Sequence, residues 1–233
     1  MSIKKVMRRF GFDVVRYHSI LNTVLRHHNI NTIIDIGAND GVWSLEMRRL
    51  FPTIQIYAFE PLRDCFERIS IKFKNDQNFK SFNFALGDKN GTANIDRNAF
   101  HPSSSMLTMA KLHKELYPKS ARTIPQQIKV RRLDSIDEIT LKPETLIKID
   151  VQGYEDKVIS GGEKTLLKTK IIIIETSFVT LYENQPLFGD IHKQLDDLGF
   201  VYKGSCGGHF SSKTGERIYE DSVFVNKKPQ AVY

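Results

Sequence analysis

Apolar and amphipathic segments alternate along most of this chain. Five short runs rich in Ile, Val and Phe have the length of buried strands, and they cover residues 32–36, 54–59, 79–86, 146–151 and 171–175. Most of these runs are too apolar for strands with one face in water, which is typical of strands covered on both faces in a parallel sheet. The five runs therefore predict the strands of one buried sheet.

The segments between these runs have helical periodicity. Apolar residues recur at intervals of three and four over residues 43–51, 62–73, 154–159 and 191–198. Each segment presents one apolar stripe that can pack on a sheet. The alternation of strands with such helices predicts βαβ units and an α/β fold.

The C-terminal region departs from this alternation. Two strand-like segments, residues 200–203 and 223–226, have no helical pattern between them, and the segment that joins them is rich in Gly and Ser. This pattern predicts an antiparallel hairpin with a long connection.

A long irregular insert follows the third predicted strand, at about residues 88–130. It begins in turn-forming residues, GDKNGT over 87–92, and continues through HPSSSM over 101–106 to a short helical pattern over 107–117. Long excursions in compact domains usually cover functional sites. We therefore expect this insert to cover a functional site.

The segment DIGANDG, residues 35–41, joins the first predicted strand to the first predicted helix. Glycine allows a tight turn and a close approach to a ligand, and the N-terminus of the helix adds free N–H groups. A dinucleotide fingerprint needs GxGxxG, but Asn39 replaces the middle glycine and Asp40 would repel a diphosphate. No GK[ST] follows, which excludes a Walker loop. The loop therefore favours a cationic nucleoside such as S-adenosylmethionine over NAD and a dehydrogenase function.

An acid at the end of the second strand supports a nucleoside ligand. Glu60 follows that strand, 25 residues after Asp35, where a carboxylate can accept both ribose hydroxyls. NAD would use the same acid, so Glu60 alone does not discriminate between the two cofactors. The third strand ends at Leu86, where an adenine ring could lie. The predicted cofactor-binding residues are Asp35, Gly37, Ala38, Asn39, Gly41, Trp43, Ser44, Glu60, Pro61, Leu86 and Gly87.

A family resemblance extends over most of the chain. The segments DIGANDGVWSL, YAFEP, FNFALGDKNGTANI, SSSML, RLDSID, LIKIDVQGYEDKVISGGEKTL and IIIIETS occur in this order. In content and order they resemble the FkbM family of methyltransferases over roughly residues 31–199. The family more often has a glutamate at the position of Gln152.

This resemblance implies a class I methyltransferase fold. That fold is a Rossmann-like, doubly wound α/β domain with a mostly parallel seven-stranded sheet and a C-terminal antiparallel hairpin. The resemblance also implies S-adenosylmethionine as the methyl donor and O-methylation of a sugar, a glycan or another small hydroxylated acceptor.

Three acids are the candidate catalytic residues. Asp150 and Glu175 lie at the ends of the fourth and fifth strands, where ligands of such sheets bind, and Glu155 begins the next helix. A hydroxyl is a poor nucleophile, so a base would assist methyl transfer. Asp150 is the first candidate for that base or for orienting the methyl group, and a structural role in capping the helix is the alternative. Asp150 and Glu175 would also be the ligands of any Mg²⁺, but no third ligand is evident, so a metal is not predicted.

Four further residues are candidates for contact with the acceptor. Lys148 shares a strand face with Asp150, where an ion pair is the alternative interpretation. The insert supplies the others, which would line the acceptor pocket. They are His101, Ser104 and Ser105. His113 and His209 have no sequence context that suggests a role.

Charge and composition leave two alternative functions open. The net charge of +7 attracts polyanions, so an RNA methyltransferase is one alternative, although no basic stripe with interleaved aromatic residues is present. A non-catalytic module that binds S-adenosylmethionine is the other.

The termini and the hydropathy pattern suggest where the protein acts. Residues 1–30 are predicted as a basic helical segment that could contact an anionic surface such as a membrane, and residues 31–233 as a single methyltransferase domain. No run is long enough to cross a bilayer and no signal peptide is evident, so we expect a cytoplasmic protein. The oligomeric state is not indicated.

Overall fold

The computed structural model describes residues 25, 27–98, 103–212 and 214–227. In these residues seven strands form one sheet in the order β3-β2-β1-β7-β8-β10-β9. The strands of this sheet are β1 (Thr32–Ile36), β2 (Gln55–Phe59), β3 (Phe79–Phe82), β7 (Thr145–Ile149), β8 (Ile171–Ser177), β9 (Phe200–Phe210) and β10 (Arg217–Asn226). The α-helices that lie entirely within the described residues are α1 (Val42–Leu50), α2 (Arg63–Lys72), α3 (Lys111–Leu116), α4 (Glu155–Gly161), α5 (Glu163–Leu166) and α6 (Phe188–Asp197). No helix among the described residues is long and apolar enough to cross a bilayer.

The sheet is mostly parallel, as predicted. The β1–β2, β1–β7, β2–β3 and β7–β8 pairs are parallel, whereas β10 runs antiparallel to both of its neighbours, β8 and β9. This arrangement confirms the seven-stranded sheet with a C-terminal antiparallel hairpin.

Both faces of the sheet are buried. Successive residues of the central strands belong alternately to two apolar clusters, with Ile34, Ile147 and Ile172 on one face and Ile33, Leu146 and Ile171 on the other. Full burial of such a side chain contributes about 1.5–3 kcal/mol. The consecutive apolar residues seen in the sequence are therefore explained by helices and loops that cover each face.

A crevice forms where the chain reverses its direction of winding. From β1 the chain continues through β2 and β3 on one side, whereas β7 and β8 lie on the other side. Open α/β sheets bind their ligands where the strand order reverses in this way. The switch point between β1 and β7 is thus where a ligand is expected.

The insert contains more regular structure than the sequence predicted. A second sheet has the order β4-β6-β5 and consists of β4 (Ala85–Leu86), β5 (Gly91–Asn98) and β6 (Thr123–Arg131). Strands β5 and β6 were missed because their residues are mostly polar and half-exposed, and β6 contains Pro125. The short helix predicted over 107–117 is present only over Lys111–Leu116, as α3.

The third predicted strand is divided between the two sheets. Asn83 donates its amide to the carbonyl oxygens of Glu60 and Pro61, both at 3.0 Å, and interrupts the run between β3 and β4. The prediction of one strand over 79–86 was wrong. A single polar residue such as Asn83 in an apolar run does not indicate in the sequence that a strand ends there. The interruption ties the start of the insert to the end of β2.

The C-terminal hairpin is longer than predicted. The segment SCGGHF continues β9 instead of forming the connection, which is reduced to residues 211–216. The pairing with β10 is irregular, and a Cβ at Gly208 would lie 2.5 Å from the carbonyl oxygen of Tyr219. Glycine therefore permits the close approach of β9 and β10 at this position. The Gly-rich composition had predicted a connection, whereas part of this segment belongs to β9.

Candidate functional site

A cavity of about 340 Å³ lies over the switch point and follows the C-terminal edge of the sheet. It reaches from the end of β2 to the end of β8, which are three strand spacings apart, or about 14 Å. At the β2 end the lining residues include Gly37, Asn39, Phe59, Glu60, Pro61, Leu62, Ala85 and Leu86. At the β8 end they include Asp150, Gln152, Glu175, His113, Tyr117, Leu181 and Tyr219, and the insert adds Ser103, Ser104 and Met106.

The glycine loop packs tightly against both neighbouring strands. Gly37 has a φ of +80°, and its N–H and that of Ala38 donate to the carbonyl oxygen of Phe59 at 3.0 Å. A Cβ at Gly37 would lie 1.9 Å from the carbonyl oxygen of Asp150. Glycine is required here by both backbone conformation and contact with the β7 end. Gly41, with a φ of +68°, forms the N-cap of α1.

Glu60 is buried in the wall at the β2 end. Its two carboxylate oxygens accept the backbone N–H groups of Asn39 and Leu62, each at 2.8 Å. Burial raises the pKa of Glu60 to about 7, against the lowering effect of these two hydrogen bonds. Each oxygen retains a second lone pair, so the carboxylate can accept further hydroxyl groups from a ligand.

Several predicted cofactor residues support the loop from behind instead of lining the cavity. Asp35 is fully buried, and its Oδ2 accepts a hydrogen bond from the Ser44 hydroxyl at 2.6 Å. Gly87 packs against Tyr154. The predicted cofactor residues that do not line the cavity are Asp35, Ala38, Gly41, Trp43, Ser44 and Gly87, whereas Gly37, Asn39, Glu60, Pro61 and Leu86 do.

The charge of Asp40 is not directed at the cavity. Asp40 Oδ1 pairs with Arg68 Nε at 2.6 Å, and Asp40 does not line the cavity wall. Asp40 is therefore a weak argument against a diphosphate ligand, because its charge is paired with that of Arg68. Asn39 does line the cavity and remains the residue that replaces the middle glycine.

Gln152 connects the polar groups at the β8 end. Its Nε2 donates to Asp150 Oδ1 at 2.9 Å and to Glu175 Oε1 at 3.0 Å, while its Oε1 accepts from the Tyr182 hydroxyl at 2.9 Å. The residue has a φ of +57°, in the turn that follows β7. Its backbone carbonyl accepts a hydrogen bond from the Ser105 hydroxyl. Gln152 thereby holds both carboxylates and anchors the insert.

Asp150 is strongly engaged by its neighbours. Its Oδ2 pairs with Lys148 Nζ at 2.9 Å. Burial raises the pKa of Asp150, but the charge of Lys148 and the hydrogen bonds from Gln152 and Lys148 outweigh burial, so the pKa lies below its usual value. Lys148 itself lies over the Trp43 ring, 5.7 Å from the centroid, and does not line the cavity.

The other two candidate acids differ in position. Burial and the charges of Asp150, Glu155 and Asp221 raise the pKa of Glu175, which faces the cavity. Glu155 lies behind the wall, where its Oε1 accepts the N–H groups of Val151 and Gly153 at 3.1 and 3.2 Å. Burial raises the pKa of Glu155 to about 7. The geometry gives Glu155 a structural part in shaping the turn.

The insert supplies a histidine that the sequence did not single out. His113 on α3 is 3% exposed and lines the cavity beside Tyr117. Ser104 also lines the cavity, Ser105 lies behind it, and His101 falls outside the described residues. A lone histidine in an irregular segment carries no sequence signal, and only the packing of α3 brings it to the cavity. Among the described residues, no cluster of three or more His, Cys, Asp or Glu residues is placed to hold a metal ion.

Comparisons with known proteins find one family model and several relatives named as methyltransferases. The family model described as the methyltransferase FkbM domain matches residues 35–202. The 2-O-methyltransferase NoeI of Sinorhizobium fredii is 35% identical over 165 residues, which are 66% of this chain and 66% of that protein. Methyltransferase sdnD of Sordaria araneosa is 26% identical over 194 residues, covering 72% of this chain and 73% of that protein.

A solved structure shares the fold. The methyltransferase domain of bacterial CtHen1-CN matches with a TM-score of 0.50 and 13% identity, over 90% of this chain and 97% of that chain. This likeness, together with the strand order, confirms the class I methyltransferase fold. The family uses S-adenosylmethionine as methyl donor. The chain belongs to the FkbM family of S-adenosylmethionine-dependent methyltransferases.

Proposed function

We propose that the protein transfers the methyl group of S-adenosylmethionine to a hydroxyl of a sugar, a glycan or another small hydroxylated acceptor. The observation that carries this proposal is a single cavity that joins a nucleoside-type site at Glu60 to a polar site at the β8 end. The similarity to a 2-O-methyltransferase supports oxygen as the atom that receives the methyl group.

The β2 end suits the adenosine part of the donor. The Glu60 carboxylate, fixed by two backbone N–H groups, can accept the ribose hydroxyls. Phe59, Leu62 and Leu86 offer apolar surface to the adenine ring. Gly37 lets the loop pack against the carbonyl oxygen of Asp150 while it lines the cavity. The predicted residues behind the loop, among them Asp35 and Ser44, hold this shape instead of contacting the donor.

The carboxylates near the switch point suit the cationic part of the donor. Asp150 is ionised and fixed by Lys148 and Gln152, so it is a weak proton acceptor but a steady source of negative potential. We assign it to orienting the donor and its methyl group. Glu175 lies farther along the edge of the sheet, on β8, and faces the space where an acceptor would lie.

Methyl transfer requires alignment more than activation. The acceptor oxygen forms a bond to the methyl carbon while the bond from that carbon to sulfur breaks, and the sulfur keeps the electron pair. Holding the two reactants in line can supply a large part of the rate enhancement. The insert, with Ser103, Ser104 and Met106 in the cavity wall, would cover the reactants and exclude water.

Two experiments test this function. Titration calorimetry with S-adenosylmethionine should show one site per chain, and absence of binding would refute it. A screen of sugars, oligosaccharides and small alcohols with a labelled methyl donor should then yield labelled product and S-adenosylhomocysteine in equal amounts. Binding without turnover on any acceptor would favour a non-catalytic module, and label in RNA instead of sugars would favour the RNA methyltransferase.

A further inference from the structure

His113 is an unusual member of the cavity wall. Its side chain is 97% buried, since its exposed fraction is 3%, and neither ring nitrogen has a hydrogen-bond partner within the described residues. The Tyr117 hydroxyl, one helical turn further along the chain, is also buried and without a partner. Unpaired buried polar groups are costly and rare in folded proteins. Two of them on one face of the cavity indicate a polar ligand that completes their hydrogen bonds.

The imidazole ring is held in a fixed position. It makes edge-on contacts with the rings of Tyr117 and Tyr182, at centroid distances of 5.1 and 5.0 Å. The start of α3 is bound to the loop after β8, because Ala110 N–H donates to the carbonyl oxygen of Leu181 at 2.9 Å. The residue before it, Met109, forms a β-bridge with Tyr182. The helix that carries His113 and the loop that carries Tyr182 therefore pack together as one unit.

The same unit reaches the carboxylates at the switch point. Tyr182, which contacts His113, donates its hydroxyl to Gln152, and Gln152 donates to Asp150 and Glu175. His113 is thus separated from Asp150 by two side chains. An acceptor bound at the β8 end of the cavity would lie beside His113, because His113 and Asp150 line the same cavity.

The other candidate bases are less suited to receive a proton. Asp150 is held by Lys148 and Gln152. Glu155 does not line the cavity and is held by two backbone N–H groups. Glu175 accepts from Gln152 and lies among other acids, where burial and their charges raise its pKa and so reduce the ionised fraction that could act as a base.

We propose that His113 is a catalytic base that accepts the proton of the acceptor hydroxyl; the proposal rests on the methyltransferase function described above. As the acceptor oxygen bonds to the methyl carbon, its O–H bond breaks and the proton passes to an imidazole nitrogen. The products are a methyl ether, neutral S-adenosylhomocysteine and an imidazolium, so the single positive charge moves from sulfur to His113. The Tyr117 hydroxyl holds the acceptor beside the imidazole.

The surroundings of His113 keep it neutral before the reaction. Burial lowers the pKa of His113 below its usual value. The titratable groups in contact with it are Tyr117, which follows α3, and Tyr182 after β8. Glu175 on β8 and Tyr219 on β10 line the same cavity, and His209 on β9 lies next to Tyr117 and Tyr219. A neutral imidazole at pH 7 has the lone pair that a base requires.

The first test needs no acceptor. In the full-length protein saturated with S-adenosylmethionine, the imidazole carbon and nitrogen resonances of His113 are assigned by comparison with His113→Gln and followed by NMR as the pH is varied. We expect a neutral ring at pH 7 that becomes protonated only at lower pH. A ring that is already protonated at pH 7 would overturn the proposal, whichever acceptor the enzyme uses.

The second test is kinetic and uses an acceptor found in the screen. His113→Gln should lower kcat by about a hundredfold or more, the usual contribution of a base, with the Kd for S-adenosylmethionine unchanged. The fall of kcat at low pH, caused in the wild type by protonation of His113, should disappear in the variant. The matched control is His192→Gln on α6, whose ring packs on Phe188, Tyr202 and Phe224 away from the cavity.

Failure of this proposal is distinguishable from failure of the enzyme's proposed function. A protein that neither binds S-adenosylmethionine nor methylates any acceptor contradicts the function itself. A working methyltransferase in which His113→Gln retains kcat within about threefold, or changes only the KM for the acceptor, contradicts the role of His113 alone.

Discussion

Glu60 accepts two backbone hydrogen bonds at the β2 end of the cavity and keeps lone pairs for a ligand. We expect Glu60→Gln to weaken S-adenosylmethionine binding by about ten- to a hundredfold, because hydrogen bonds to a charged group contribute about 1.5–3 kcal/mol. Calorimetric titration measures the Kd directly. Glu67→Gln on α2 is the matched control, since Glu67 is exposed and pairs with Arg63. Equal Kd values for the two variants would show that Glu60 does not hold the donor.

Gly37 has both a left-handed backbone and a neighbour too close for a side chain. We expect Gly37→Ala to lower the free energy of unfolding by at least about 3 kcal/mol, which places it among the most damaging single changes. Urea denaturation measures the difference. Gly215→Ala separates the two causes, because Gly215 has a φ of +74° with open space around it and should cost only about 1–2 kcal/mol. Similar losses in both variants would mean that contact with Asp150 is unimportant.

The sequence revealed individual residues only where a motif fixed their position. Glu60 could be predicted because the end of a strand determines where its side chain lies. Asp35 was assigned to the cofactor site, yet it points into the protein, where Ser44 binds it. His113 could not be predicted, since its place in the cavity depends on how α3 packs against Tyr182.

At the scale of elements, the turn after β7 organises the β8 end of the cavity. Gln152 supplies neutral donors between two carboxylates, so a third carboxylate there would remove two hydrogen bonds and add repulsion. We expect Gln152→Glu to lower the free energy of unfolding by about 1–3 kcal/mol at pH 8. Denaturant unfolding at several pH values measures this loss.

The free energy of unfolding of Gln152→Glu should depend on pH in a definite direction. Repulsion raises the folded-state pKa of the added carboxyl above its unfolded value, so the folded state binds more protons and its stability falls as the pH rises. The difference from wild type should therefore shrink toward pH 5. Gln127→Glu on the exposed side of β6 is the control. A loss that is independent of pH would argue against clustered carboxylates.

Buried strands could be predicted from the sequence more readily than half-exposed ones. The strands of the central sheet could be predicted because both of their faces are apolar. Strands β5 and β6 were missed because only a few of their side chains are buried, and their polar residues resemble a loop. The extension of β9 was missed because its glycines suggested a flexible connection. In the structure Gly208 instead allows β9 and β10 to approach closely.

At the scale of the whole molecule, much of the basic character is compensated locally. Among the described residues, several arginines pair with acids: Arg48 with Asp76, Arg63 with Glu67, Arg68 with Asp40 and Asp64, Arg97 with Asp64, Arg131 with Glu138 and Arg217 with Glu220. These pairs leave the net charge of +7 unchanged, but each of these arginines already has an acidic partner. The positive net charge alone is therefore a weak argument for an RNA acceptor.

Fold and donor were accessible from the sequence, whereas the acceptor site was not. The order of strands and the glycine loop follow from local patterns that repeat along the chain. The β8 end of the cavity is built from β8, β10, the insert and the turn at Gln152, which are distant in sequence and meet only in the folded protein. No motif constrains that combination.

The central claim is that one cavity brings a methyl group from S-adenosylmethionine to a hydroxyl oxygen. The most direct measurement uses a donor with a carbon-13-labelled methyl group and locates the label in the purified product by heteronuclear NMR. We expect the labelled carbon to be bonded to an oxygen of the acceptor, with one S-adenosylhomocysteine formed per methyl group. A label bonded to nitrogen or carbon, or no transfer by a protein that binds the donor, would contradict the claim.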